Sequence, residues 1–158
     1  PVREVPRALG PNDVANPDLT AFAMIRTFFR WLLALFYAVA GYFHLAAPAP
    51  FLTITPAWVP MPESVVAATG IADLAGAAGL LQSRWPELRR AAGIGLALYA
   101  LCVWPANFQH VILDMDRADG GLGLGYHIPR LAFQPVLIWL ALWAGEATDW
   151  PFARPAGK

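Results

Sequence analysis

The sequence predicts an all-α protein, a bundle of four transmembrane helices running up-down-up-down with both termini cytoplasmic. Three observations predict it. Of the 158 residues, 58% are hydrophobic and only 14% are charged, whereas a soluble domain carries about 25% charged residues. Four apolar runs are each long enough, or nearly so, for the roughly 20 residues that span hydrocarbon. Proline-, glycine- or charge-rich connectors punctuate them. Formal net charge is zero, and without a basic patch no nucleic-acid partner is expected. The contact expected first is with membrane lipid.

Residues 1–24 form an expected N-terminal cytoplasmic arm, since Pro6, Pro11 and Pro17 break any period. Asp18 is placed to cap the helix that follows. The membrane domain is expected over 25–146 and a C-terminal tail over 147–158. The first span, 25–46, reads IRTFFRWLLALFYAVAGYFHLA. The next stretch, AAPAPFLTITPAWVPMPES, is too proline-rich for a continuous helix. It reads as a greasy loop at the membrane boundary, anchored by Trp58.

The second span, 64–81, contains GIADLAGAAGLL. Ala68, Ala72 and Gly76 recur every four residues, a small-residue pattern that lets helix backbones approach closely. Asp73 lies within it, and an acid at such depth costs at least about 2.5–3.5 kcal/mol, so it should face protein or a wet cavity. QSRWPELRR then turns the chain back, broken by Pro86. The third span, 91–113, contains Pro105, which removes the bond to the carbonyl of Leu101 and predicts a kink. The loop 114–126, DMDRADGGLGLGY, reads as flexible and exposed. The fourth span, 127–145, carries Pro129 in its first turn and Pro135 further in.

Orientation follows from the basic residues. With the N-terminus inside, Arg3, Arg7, Arg26, Arg30, Arg84, Arg89, Arg90, Arg154 and Lys158 fall on the cytoplasmic side, and only Arg117 and Arg130 fall opposite. That bias fits the positive-inside rule and an N-in, C-in protein of a bacterial inner membrane. At about 1.5 Å of rise per residue, His44, His110 and Arg130 lie roughly 5 Å below the outer ends of their spans. Asn107 and Gln134 lie roughly 10 Å down and Asp73 roughly 13 Å on the same scale. Asn107 and His110 share a helical face, as do Arg130 and Gln134. The expectation is a polar funnel open outward and ending at Asp73 as proton acceptor, with His44, Asn107, His110, Arg130 and Gln134 as ligand-binding groups. Asp73 has a second open role, pairing with Arg130 or a tyrosine to set helix register. His44, His110 and Asp73 are suitable atom types for a metal, yet no spacing is diagnostic and no metal is assigned. Cys102 is the single cysteine, so neither a disulfide nor a CxxC redox pair is available.

These motifs resemble the DoxX-like family of small four-helix membrane proteins. The resemblance rests on His44, the prolines Pro48, Pro56 and Pro60, then Gly70 and Asp73, with WPANFQ at 104–109 and RLAFQ at 130–134, and it covers roughly 31–143. Asp73 stands where the family pattern has the longer Glu, and the 114–126 loop is unusually long. The resemblance implies a quinone- or redox-linked subunit of a membrane complex, with quinone as the possible cofactor. If enzymatic, it would be the membrane subunit of a quinone-linked oxidoreductase. The alternative it leaves open is a non-catalytic accessory or assembly subunit that docks to a larger complex or redox partner.

Overall fold

In the computed structural model residues 17–152 are described, and they contain five helices and no strand. These are α1 (Pro17–Ala46), α2 (Ala49–Ile54), α3 (Pro62–Leu81), α4 (Pro86–Met115) and α5 (Leu124–Ala144). The expected arm up to residue 16, and Arg154 and Lys158 of the tail, lie outside the described residues, as does the Asp18 side chain.

Several boundaries differ from expectation for local reasons. The first helix begins at Pro17 rather than at 25, because Phe22 has a packing partner: its ring meets Trp143 edge-on at 5.8 Å. Pro86 does not break the third long helix but starts it, at the first helical turn. A proline there forfeits only an amide that the helix could not use. Pro62 starts α3 in the same way, after Met61 in a left-handed conformation (φ 47°). The expected loop after α1 holds the short helix α2, with Pro48 preceding it. Pro105, Pro129 and Pro135 all sit inside helices.

Among the described residues three helices are long and apolar enough to cross a membrane: Thr20–Ala46, Pro62–Leu81 and Pro86–Met115. Leu124–Ala144 is not among them, its apolar content being diluted by His127, Arg130 and Gln134. The outward faces are apolar: Trp31, Leu35, Ile71, Leu98 and Ile112 are each more than half exposed. In water such a surface would be an aggregation liability, and in lipid it is a solvated one. The helices point to membrane integration.

Long helix α1 packs on α3, α3 on α4, α4 on α5, and α5 back on α1. The apolar core comprises Leu33, Ala34 and Tyr37 from α1, Ala77 and Leu80 from α3, Leu96 and Ala97 from α4, and Leu140, Ala141, Trp143 and Ala144 from α5. It therefore occupies the end where α1 and α4 start and α3 and α5 finish. Arginines close that end. Arg26, 3% exposed, donates to Asp149 at 2.6 Å and to the Thr148 carbonyl at 3.1 Å. Arg30 and Arg89 both donate to Glu146 Oε1, at 2.6 and 3.1 Å.

Of the small residues expected to pack closely, only Gly76 does so. Ala68 and Ala72 are exposed, and the close contacts fall to Gly70, Gly76 and Gly79, which meet α1, Leu96 and Ala92 respectively. A four-residue repeat drifts around an α-helix, so it cannot keep two neighbouring helices in contact, whereas α3 is packed on both sides. Its buried residues Val66, Gly70, Asp73, Gly76, Ala77 and Leu80 instead follow three- and four-residue steps.

Candidate functional site

Opposite the arginine-closed end lies a cleft of about 410 Å³, within the range of about 300–1,000 Å³ typical of small-molecule sites. Its walls are mostly apolar, from Phe36, Phe51, Trp58, Val66, Phe133 and Leu137 among others. A few polar groups converge on it: His44 from α1, Tyr99 and Asn107 from α4, and Arg130 and Gln134 from α5. The proline-rich connector supplies one wall through Ile54, Pro56 and Val59, which gives this greasy segment a reason to fold back.

Asp73 is not part of the cleft wall. It is fully buried and sits behind two wall residues. Its Oδ2 accepts from the Tyr99 hydroxyl at 3.1 Å and lies 3.4 Å from His44 Nδ1, while Oδ1 has no partner. The Ala40 carbonyl accepts from His44 Nδ1 at 2.8 Å; a carbonyl can only accept, so the ring proton is on Nδ1 and Nε2 is its acceptor. His44 is further held by stacking on Phe51, with ring centroids 3.8 Å apart. Tyr37, edge-on to Tyr99 at 5.9 Å, has a buried hydroxyl without a partner. The closeness of α1 to α3 comes from Gly41 and Gly70, where each backbone occupies the space of the other's missing side chain.

Asn107 and Gln134 form the second polar element. Asn107 Nδ2 donates to Gln134 Oε1 at 3.2 Å, and Gln134 Nε2 donates to the carbonyl of Ala100 by a short hydrogen bond. Gln134 thereby ties α5 to α4 just before the carbonyl that Pro105 deprives of its donor. Both amides are buried, so each bond replaces one otherwise owed to water. Gln134→Leu should strand Asn107 Nδ2 and cut the tie to the Ala100 carbonyl, a loss of about 1–3 kcal/mol. Thermal unfolding of the purified protein in detergent should show it as a lower midpoint, and an unchanged midpoint would mean the pair carries no packing load.

The third element lies at the far ends of α4 and α5, and sequence reasoning identified only part of it. Arg130 donates to His110 Nδ1 at 2.6 Å and lies over the Tyr126 ring at 5.7 Å. His110 Nε2 is 3.6 Å from Asp114 Oδ2, and His127 Nε2 is 2.9 Å from the same oxygen. Leu122 N–H also donates to it at 2.9 Å. Asp114 and His127 are both buried. Neither was expected at a site: Asp114 falls in the 114–126 stretch that reads as an exposed loop, and His127 only opens the fourth span. In fact Asp114 is in the last turn of α4, and the connector 116–123 is folded onto its carboxylate. Gly120, Gly121 and Gly123 supply the positive φ this needs, 69°, 55° and 71°. Arg117 and the Gly121 amide hold the exposed Asp119 carboxyl well below the usual carboxylate range, the arginine bond being the larger cause. The available signal was Asp114 standing four residues after His110, on the same face.

The six expected site residues thus divide. His44 and Asp73 are brought together, and so are Asn107 and Gln134, while His110 links Arg130 to the Asp114–His127 pair. The expected trio of His44, His110 and Asp73 is not a single cluster.

Fold and site together define an all-helical protein with helices long and apolar enough to cross a membrane, around a largely apolar cleft with a few buried polar groups. The chain belongs to the family described as Domain of unknown function (DUF8561), whose model matches residues 33–145. That segment takes in every residue of the cleft and of the His110–Asp114–His127 cluster. No curated protein and no solved structure shows a significant match.

Proposed function

We propose that this chain is a DoxX-like, quinone- or redox-linked membrane subunit whose cleft receives a flat, carbonyl-bearing ring. The observation that supports this most is the makeup of the cleft: apolar and aromatic walls, with the polar side chains of His44, Tyr99, Asn107, Arg130 and Gln134 set among them. In this reading Leu124–Ala144 crosses the membrane as well, its polar side chains turned to the cleft, and both termini are cytoplasmic with the cleft opening to the periplasmic side of a bacterial inner membrane. Arg130 and the amides hold the ring's oxygens. When the ring takes two electrons from a redox partner it also takes two protons. Tyr99, hydrogen-bonded to Asp73, offers a path for one of them.

One observation favours the second reading, a non-catalytic accessory subunit. Asp73 is walled off from the cleft, hydrogen-bonded to Tyr99 on α4 and 3.4 Å from His44 on α1, as a clamp between helices would be. Asp73→Asn separates the two. A proton-handling site loses quinone-dependent turnover in membranes at least about tenfold (about 1.4 kcal/mol in the barrier), while the protein accumulates normally. A clamp loses the protein or its retention in a complex instead. Ring binding itself is read by titrating a short-chain quinone into the detergent-solubilised protein and following tryptophan fluorescence. Saturable quenching that disappears in Trp58→Phe supports the cleft; linear quenching, identical in both, sinks it.

A further inference from the structure

We infer that His110, Asp114 and His127 form a binding site for a divalent transition-metal ion, separate from the cleft but linked to it through Arg130. One ligand atom from each of the three residues lies within 4.8 Å of the other two. Ligands of a tetrahedral ion at about 2.0–2.1 Å stand about 3.3 Å apart. The two distances to Asp114 Oδ2, 2.9 Å from His127 Nε2 and 3.6 Å from His110 Nε2, fall on either side of that value. Two imidazoles and one carboxylate suit zinc, iron, cobalt or nickel better than magnesium or calcium. Three protein ligands leave further coordination positions open.

The surroundings are built to hold these atoms in place. Asp114 is pinned by the Leu122 amide. His127 is 1% exposed and packed between Tyr126 and His110, with ring centroids at 5.1 and 4.9 Å. A side chain at Gly121 would collide with the Asp114 carboxylate, so the connector closes over the cluster only because that residue is glycine.

Proton accounting makes the link to the cleft. A metal needs the lone pair of each Nε2, so each ring proton must reside on Nδ1. For His127 this means moving the proton that Nε2 donates to Asp114 Oδ2 at 2.9 Å onto the buried Nδ1, which faces no competing donor among the described residues. For His110 it is opposed, because Arg130 donates to Nδ1 at 2.6 Å and a guanidinium cannot accept. Metal binding therefore requires Arg130 to leave His110, and Arg130 is also part of the cleft wall. The ion and the His110–Arg130 bond exclude each other, and occupancy changes how Arg130 is presented to the cleft.

The test uses the full-length protein in detergent, treated with chelator and titrated with Co²⁺ alone, then Zn²⁺. The result expected is one Co²⁺ per chain with visible ligand-field absorption, displaced by Zn²⁺. His110→Gln and His127→Gln should each weaken binding by at least the roughly 10–100-fold that even outer-sphere partners of a metal command. Because His127 is buried and its substitution also disturbs packing, His110→Gln, monodisperse by gel filtration, is the deciding ligand variant. Arg130→Ala should tighten binding by about tenfold, since it removes the competing donor and a nearby positive charge. No uptake by the wild type, uptake undiminished in His110→Gln, or weaker binding in Arg130→Ala would each overturn the proposal. The readout is metal uptake and does not depend on what the cleft binds.

Discussion

Gly41→Ala is expected to destabilise the protein by about 1–3 kcal/mol, the usual cost of forcing a methyl group into a packed interior. A Cβ at Gly41 would stand 2.7 Å from the Gly70 carbonyl oxygen and 2.9 Å from Asp73 Cβ. The first of these is backbone in the middle of a helix, so α1 and α3 must part. Parting them also separates His44 from Asp73, so stability and any activity that uses the pair should fall together. Gly95→Ala is the matching control. Nothing lies within 4 Å of its would-be Cβ, and a glycine in mid-helix costs about 0.5–1 kcal/mol relative to alanine, so this variant should be slightly more stable than the wild type. Denaturation in a mixed-micelle titration measures both. Equal effects from the two substitutions would show that the α1–α3 crossing is no tighter than an open helix face.

Glu146→Gln is expected to produce the second large loss. Its Oε1 serves both Arg30 and Arg89, whose side chains are each only 13% exposed. Removing the carboxylate leaves two poorly solvated guanidinium groups facing each other. Breaking a fully buried pair from one side costs about 3–5 kcal/mol. Glu146 itself is 33% exposed, so solvent screens part of this and about 2 kcal/mol is expected. Added salt should narrow the gap between variant and wild type, because screening weakens repulsion between the two arginines. A gap that does not respond to salt would assign the loss to packing rather than charge.

The arginine end illustrates how a composition rule can locate residues without identifying their work. Arg26, Arg30 and Arg89 read from sequence as flanking charges that set orientation. In the fold they are bonded to Asp149 and Glu146, tying the ends of α1 and α4 to the segment after α5. Sequence cannot anticipate this, since Arg26 and Asp149 are separated by 123 positions and nothing local marks them as partners.

Residue chemistry and period by themselves determined the helical class, the apolar runs that became α1, α3 and α4, and the need for Asp73 to be sheltered. Those properties follow from the cost of exposing backbone and charge to hydrocarbon, which acts on each segment separately. Tertiary structure alone decided which small residues touch, because that depends on where two neighbours cross α3 and not on its own repeat. It placed Asp73 behind Tyr99 and His44. It also converted an acidic, glycine-rich connector into a cover for Asp114 and His127. The physical reason is common to all three: a side chain's partner across 13 to 123 positions is chosen by helix crossings and backbone turns, which local composition does not encode.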